Sequence, residues 1–156
     1  MKNLRSASFG GGVRPFAAAL AALTLAAVAP AGAQPADLVR QLLEARSCAG
    51  CDLAGAELSD ADLAGVNLAG ADLAGANLDR ADLAGAILVG ADLTDASLVN
   101  ANLGDADLTD ANLFRTDLSG ARFEDAVVSL VALRAAVICF TWLPNGQMYL
   151  LQQNCP

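Results

Sequence analysis

The chain contains no histidine, so the commonest general base and a common metal ligand are both missing. Aromatic residues are scarce, with five Phe, one Trp and one Tyr in 156 residues. Cations are scarce too, nine against 17 acidic residues. So acidic a chain disfavours contact with nucleic acid or anionic lipid. The longest apolar stretch, Pro15 to Val28, is too short for a transmembrane helix. Hydroxyl nucleophiles exist, among them Ser59, Thr94, Ser97, Thr109 and Ser119, but no partner base can be identified for any of them. These absences predict a protein that is not an enzyme, with no catalytic residue, no cofactor and no metal site.

Residues 1–33 read as a signal peptide. Lys2, Arg5 and Arg14 give a basic start, the apolar stretch follows, and Ala31-Gly32-Ala33 supplies an A-x-A cleavage signature. There is no twin-arginine pair and no cysteine at the cleavage point. An uncleaved anchor is the rival reading. The expected mature protein is a single small domain, exported to the periplasm or secreted, without stable membrane insertion once the leader is gone. All 17 acidic residues remain in it against six arginines, a net charge of −11. Such a surface attracts a basic partner or a divalent cation, and also keeps the protein soluble.

What the chain has in abundance is a period of five. From Cys51 to Asp125 it divides into fifteen pentapeptides, the third position being Leu in fourteen and Phe123 in the last. The first position is Ala in twelve, with Cys51, Val66 and Thr116 as exceptions. Five residues rotate a helical side chain by about 140°, and in a strand an odd repeat flips each successive leucine to the other face. A chain that turns a corner every five residues keeps all leucines inward. Stacked coils then bury what no single unit can bury alone.

The repeat A-(D/N)-L-x-x resembles the pentapeptide-repeat family. That resemblance implies an all-β solenoid, a right-handed quadrilateral β-helix with one pentapeptide per side. In the same register residues 126–140 read AVVSL, VALRA and AVICF, with Ala126, Val131 and Ala136 in the small inward position and Val128, Leu133 and Ile138 in the central one. A degenerate continuation of the coil is therefore expected, a short helix over 127–137 being the rival. The β-helix would span 51–140, about four to five coils and roughly 22 Å long.

Solenoid ends need covering. Residues 34–50 are expected to form an N-terminal capping helix, with Leu38, Leu42 and Ala45 on one face widened by Val39 and Leu43. Residues 141–156 read as a C-terminal β-hairpin cap. Asn145-Gly146 separates two apolar runs there, and Phe140, Trp142 and Tyr149 suit a lid. The opening Cys48-x-x-Cys51-Asp52-Leu53 and an ending that runs from Cys139 to Cys155 resemble exported members of the family.

Four cysteines in an exported domain point to disulfides. Cys48 and Cys51 fall at the base and Cys139 and Cys155 at the top, and a disulfide tolerates only about 4.4–6.8 Å between Cα atoms. Pairing of Cys139 with Cys155 is expected. Pairing of Cys48 with Cys51 stays open, because Cys51 fills an inward position. A redox-active Cys48-Ala49-Gly50-Cys51 is the sharper alternative, although only Arg46 is near enough to lower a thiol pKa.

Residues twenty apart should stack. Asp52, Asp72 and Asp92 form one column and Asp62 and Asp82 another, where carboxylates either attract a cation or satisfy local backbone groups. Asp60 should lie under Arg80, and Asp95 under Arg115. Ile87 and Val89 put two apolar residues on one outward patch, a candidate interaction surface. The expected function is a non-catalytic scaffold, structural or protein-binding, with self-association into homo-oligomers left open. The resemblance supplies one alternative, since some family members mimic the charge and shape of duplex DNA and protect topoisomerase. A thiol-disulfide protein is another.

Overall fold

Each pentapeptide from Cys51 to Asp125 ends in a corner, and the corner residue explains the period. All fifteen fifth-position residues have positive φ, between 57° and 72°. Seven are Gly, and most of the others are Asp or Asn, the residues that tolerate this region. The carbonyl of each central residue accepts from the first N–H of the next unit, as Leu53 does from Ala56 at 3.0 Å. This is the type II turn pattern, which requires φ > 0 at its second central residue. The computed structural model describes residues 35–146 and 148–149.

Twenty residues complete a coil, and parallel bridges join second-position residues of successive coils. The first face runs Ser47, Asn67, Ile87, Asp107, Val127, and the second Asp52, Asp72, Asp92, Asn112. The third runs Glu57, Asn77, Ser97, Asp117, Val137, and the fourth Asp62, Asp82, Asn102, Arg122, Trp142. Backbone donors are accounted for within the coil. Leu53 N–H donates to Asp72 O at 2.7 Å, Asp72 N–H to Cys51 O at 2.8 Å, and Gly55 N–H to Ala74 O at 2.8 Å. The fourth-position N–H is left over, and wherever the second position is Asp or Asn its side chain takes it, as Asp72 Oδ1 does from Ala74 at 3.0 Å. Inside, leucines from Leu53 to Leu118 and the alanines beside them form one continuous core. Phe123, completely buried, fills the same position in the last regular unit.

At the N-terminal end, α1 (Pro35–Ala45) begins with a proline, which fits the first turn of a helix. Leu38 and Leu42 join the core of the coils, whereas Leu43 is 44% exposed. Arg46 ends this segment with φ 53° and donates from its guanidinium to Asp62 O at 2.9 Å.

Residues 126–140 depart from the expected continuous coil. Val127 still bridges to Asp107, but Leu130–Ala135 forms a helix, α2, and the bridges resume at Val137 with Asp117. Leu130 and Ala135 occupy the corner positions, but neither takes the positive φ of the regular corners. Ser129 caps the helix instead, its hydroxyl accepting from Ala132 N–H at 3.0 Å. Leu133 keeps the central inward position, 3% exposed, while Val131, expected inward, is 77% exposed. The helix thus replaces one side of the coil without shifting the period. Beyond it, β1 (Thr141–Trp142) and β2 (Met148–Tyr149) pair antiparallel. Trp142 also bridges to Arg122, so one strand serves both the last rung and the hairpin.

Candidate functional site

With the interior filled, chemistry is confined to the outward second, fourth and fifth positions and to the ends. The stacked columns form as expected, but their polar atoms are largely committed to the coil. Asp52, Asp72 and Asp92 each accept a backbone N–H from two residues on. Asparagines dilute the charge: Asn112 donates to Asp92 Oδ1 at 3.2 Å, and Asn102 to Asp82 Oδ1 at 3.0 Å. No group of three or more metal-ligating side chains occurs among the described residues.

Of the candidate nucleophiles, Ser59, Ser97 and Ser119 lie on the third face, Thr94 on the second and Thr109 on the first, and all but Ser59 donate to a neighbouring carboxylate. Thr94, Thr109 and Ser119 each donate a hydroxyl to the Asp two residues earlier, all at 2.6 Å. The Thr94 hydroxyl, helped by the Thr94 N–H and by Asn112 against the opposing effect of burial, holds the Asp92 carboxyl below the ordinary 3.8. The Thr109 hydroxyl and N–H lower Asp107 in the same way. Carboxylates so stabilised make weak proton acceptors for the hydroxyls beside them.

Asp79 is a polar residue that sequence reasoning missed. Ser97 stands where Asp or Asn normally caps the fourth-position N–H. Asp79, one coil below, reaches up instead, accepting from Val99 N–H at 3.1 Å and from the Ser97 hydroxyl. The signal was present: an Asp in the fourth position twenty residues before a unit that lacks the usual second-position Asp.

The expected ion pairs form. Arg80 grips Asp60 through two bonds at 2.6 and 2.7 Å, and Arg115 meets Asp95 at 2.8 Å. Contact with Arg80 holds the Asp60 carboxyl below its ordinary value.

Cys48 and Cys51 are disulfide-bonded, with Cα atoms 5.4 Å apart. Both are only 3% exposed. They replace the Leu–Ala pair that flanks most other corners, and both point inward because both positions do. Cys139 is also buried and disulfide-bonded; Cys155, the partner expected for it, lies outside the described residues, as do residues 1–33, expected to be a signal peptide. No helix of the described residues is long and apolar enough to cross a membrane.

Ile87 is 41% exposed and Val89 half-buried on the same first face. Larger apolar exposure is found at Phe114, 53%, at Val127 on the same face, 57%, and at Leu130 and Val131, 70% and 77%. Of these Val131 was expected inward, and the helix that displaces the coil turns it out. A cavity of about 200 Å³ at the C-terminal end is lined by Leu130, Leu133, Arg134, Ile138 and Leu143, apolar apart from one guanidinium.

Comparison with known proteins gives a consistent result. The family model "Pentapeptide repeats (8 copies)" matches at residues 47–85, 76–113 and 91–129. A pentapeptide repeat protein from Nostoc PCC 7120 is 30% identical, with 69% of this chain and 100% of that one covered and a TM-score of 0.54. Rfr23 from the cyanobacterium Cyanothece 51142 is 26% identical over 69% of this chain and 98% of its own, also with a TM-score of 0.54. A pentapeptide repeat protein from the Arabidopsis thaliana thylakoid lumen shows 27% identity over 63% of this chain, with a TM-score of 0.48, and the match spans 62% of that protein. No curated protein sequence matches the chain.

Proposed function

Because this chain belongs to the pentapeptide-repeat family, whose fold is a right-handed quadrilateral β-helix, we propose that it is an exported scaffold that binds another protein on its outer faces. The family consists in general of structural or interaction scaffolds rather than enzymes. One observation carries the reading. First and third positions are almost all Ala and Leu and face inward through the regular coils, while the outward positions vary from coil to coil and display side chains on a ladder of bridged rungs. A surface of that kind is made for recognition.

Export is supported by the basic–apolar–A-x-A leader and by the Cys48–Cys51 disulfide, a bond that persists in oxidising compartments. The buried position of that disulfide speaks against a thiol-exchange role. The caps and the non-catalytic character belong to the same proposal: α1 and the hairpin close the two ends, and the sides present no histidine or paired base. The acidic surface favours one second reading, mimicry of duplex DNA toward a topoisomerase-like protein, which requires the chain to stay in the cytoplasm.

Two measurements test this. A reporter fused behind residue 33 should be exported; cytoplasmic retention of the unprocessed chain would favour the mimic. Affinity capture of the processed chain from envelope extract should retain a partner protein, and its repeated failure to retain any would count against the scaffold.

A further inference from the structure

We propose that the first face, at Ile87, Asp107 and Val127, docks a cationic amphipathic segment of a partner protein; this rests on the scaffold reading above. Parallel bridges place the three residues on successive rungs, so Ile87 and Val127 lie about 10 Å apart. Ile87 is 41% and Val127 57% exposed, and Leu130 at 70% occupies the corner position that follows Val127. Ile87 stands where, in most units, Asp or Asn supplies an oxygen to the fourth-position N–H. The tower therefore forgoes a turn-stabilising bond at Val89 in order to expose an aliphatic side chain.

The charges along this strip are acidic, apart from Arg134 beside Leu130 at one end. Asp105 and Asp125 stack on the corner that leads into the face, Asp110 stands on the corner that leaves it, and all three are exposed. Asp107 lies between the aliphatic residues and is kept ionised by its bonds from Thr109. None of the four is in an ion pair among the described residues; Arg40, Arg46, Arg80, Arg115 and Arg122 each bond another carboxylate, and Arg134 stands at the Leu130 end of the strip. An apolar strip edged by unpaired carboxylates selects an occupant that brings aliphatic side chains flanked by Lys or Arg. A second copy of this chain would bring more carboxylates, and nucleic acid or an anionic bilayer would be repelled.

The test is an NMR titration of the full chain with a synthetic leucine–lysine amphipathic helical peptide. Amide shifts should concentrate at residues 87–89, 105–110 and 125–131. The double variant Ile87→Asp, Val127→Asp should weaken binding about tenfold, and Asp105→Asn with Asp125→Asn should reduce its salt dependence. Because Asp is the usual residue at positions 87 and 127 of the repeat, the double variant should fold, and its melting curve verifies this. Asp82→Asn on the fourth face should leave binding unchanged. Shifts spread evenly over all four faces, or undiminished binding by the double variant, would overturn the proposal. So would a homodimer dissociated by Ile87→Asp. A natural partner cross-linked to another face overturns this surface while leaving the scaffold reading intact, whereas failure of every face to bind protein removes that reading too.

Discussion

Asp79 caps the backbone of Val99 from one coil below, across a distance of 3.1 Å. The contact replaces a local turn bond with one between coils, so a single carboxylate both closes a corner and ties two rungs together. Asp79→Ala should therefore destabilise the protein by about 1–2 kcal/mol, the cost of leaving that N–H and the Ser97 hydroxyl without their acceptor. Adding Ser97→Asp should recover most of the loss, because it restores the usual cap. Urea denaturation of the two variants checks this, and an Asp79→Ala variant as stable as the parent would show the contact to be idle.

The leucine column should tolerate truncation poorly. Leu88 is completely buried with coils above and below it, and Leu88→Ala should cost about 2–5 kcal/mol. Thr116 offers a milder contrast. Its hydroxyl donates to Leu93 O at 2.8 Å, yet that carbonyl also accepts from Ala96 N–H. Thr116→Val should cost only about 0.5–1.5 kcal/mol. Chemical denaturation distinguishes the two.

Exposed ion pairs should matter less than their geometry suggests. Arg80 and Asp60 are both exposed although doubly bonded, and solvent screens such pairs. Arg80 also has φ 58°, which glycine adopts without strain. Arg80→Gly should leave the melting temperature nearly unchanged, and raising salt should do little to the parent. A drop of many degrees would mean that the pair holds the corner.

Acid should unfold the tower through its turn carboxylates. Asp60, Asp92 and Asp107 have folded values below the ordinary 3.8, so the unfolded chain binds protons more readily than the folded one. Their contribution is fully present above about pH 4 and is lost as pH falls through the depressed folded values. The melting temperature should hold steady from neutrality to about pH 4.5 and fall below that. Asp92→Asn, which keeps an acceptor oxygen for Thr94, should make the fall shallower. A decline between pH 7 and pH 5 would contradict the assignment.

The regular coils were legible because burial and corner geometry repeat together from Cys51 to Asp125. Reading past that point failed where only one of the two was weighed. Inward positions continue through Leu133, but Leu130 and Ala135 do not take the left-handed corner, and a helix capped by Ser129 stands in place of that side of the coil. The inward pattern alone therefore does not tell where the coil stops. The acidic columns and the Arg80–Asp60 pair followed from the period alone. Asp79 did not, since its role depends on a deviation in the coil above. The outward exposure of Val131 was hidden by the helix that displaces the coil, whereas Val127 and Leu130 are outward in the repeat's own register.

Photo-cross-linking tests the central claim, that the outer faces bind a protein, most directly. A photoreactive residue is placed in turn at Thr109, Ala74, Ser119 and Ala84, one on each face, and the chain is irradiated in intact cells. The account predicts a discrete adduct with a second protein from at least one face, strongest from Thr109 on the face of Ile87 and Val127. Irradiated chains that remain unlinked from all four faces, in cells where the protein is abundant, would contradict it.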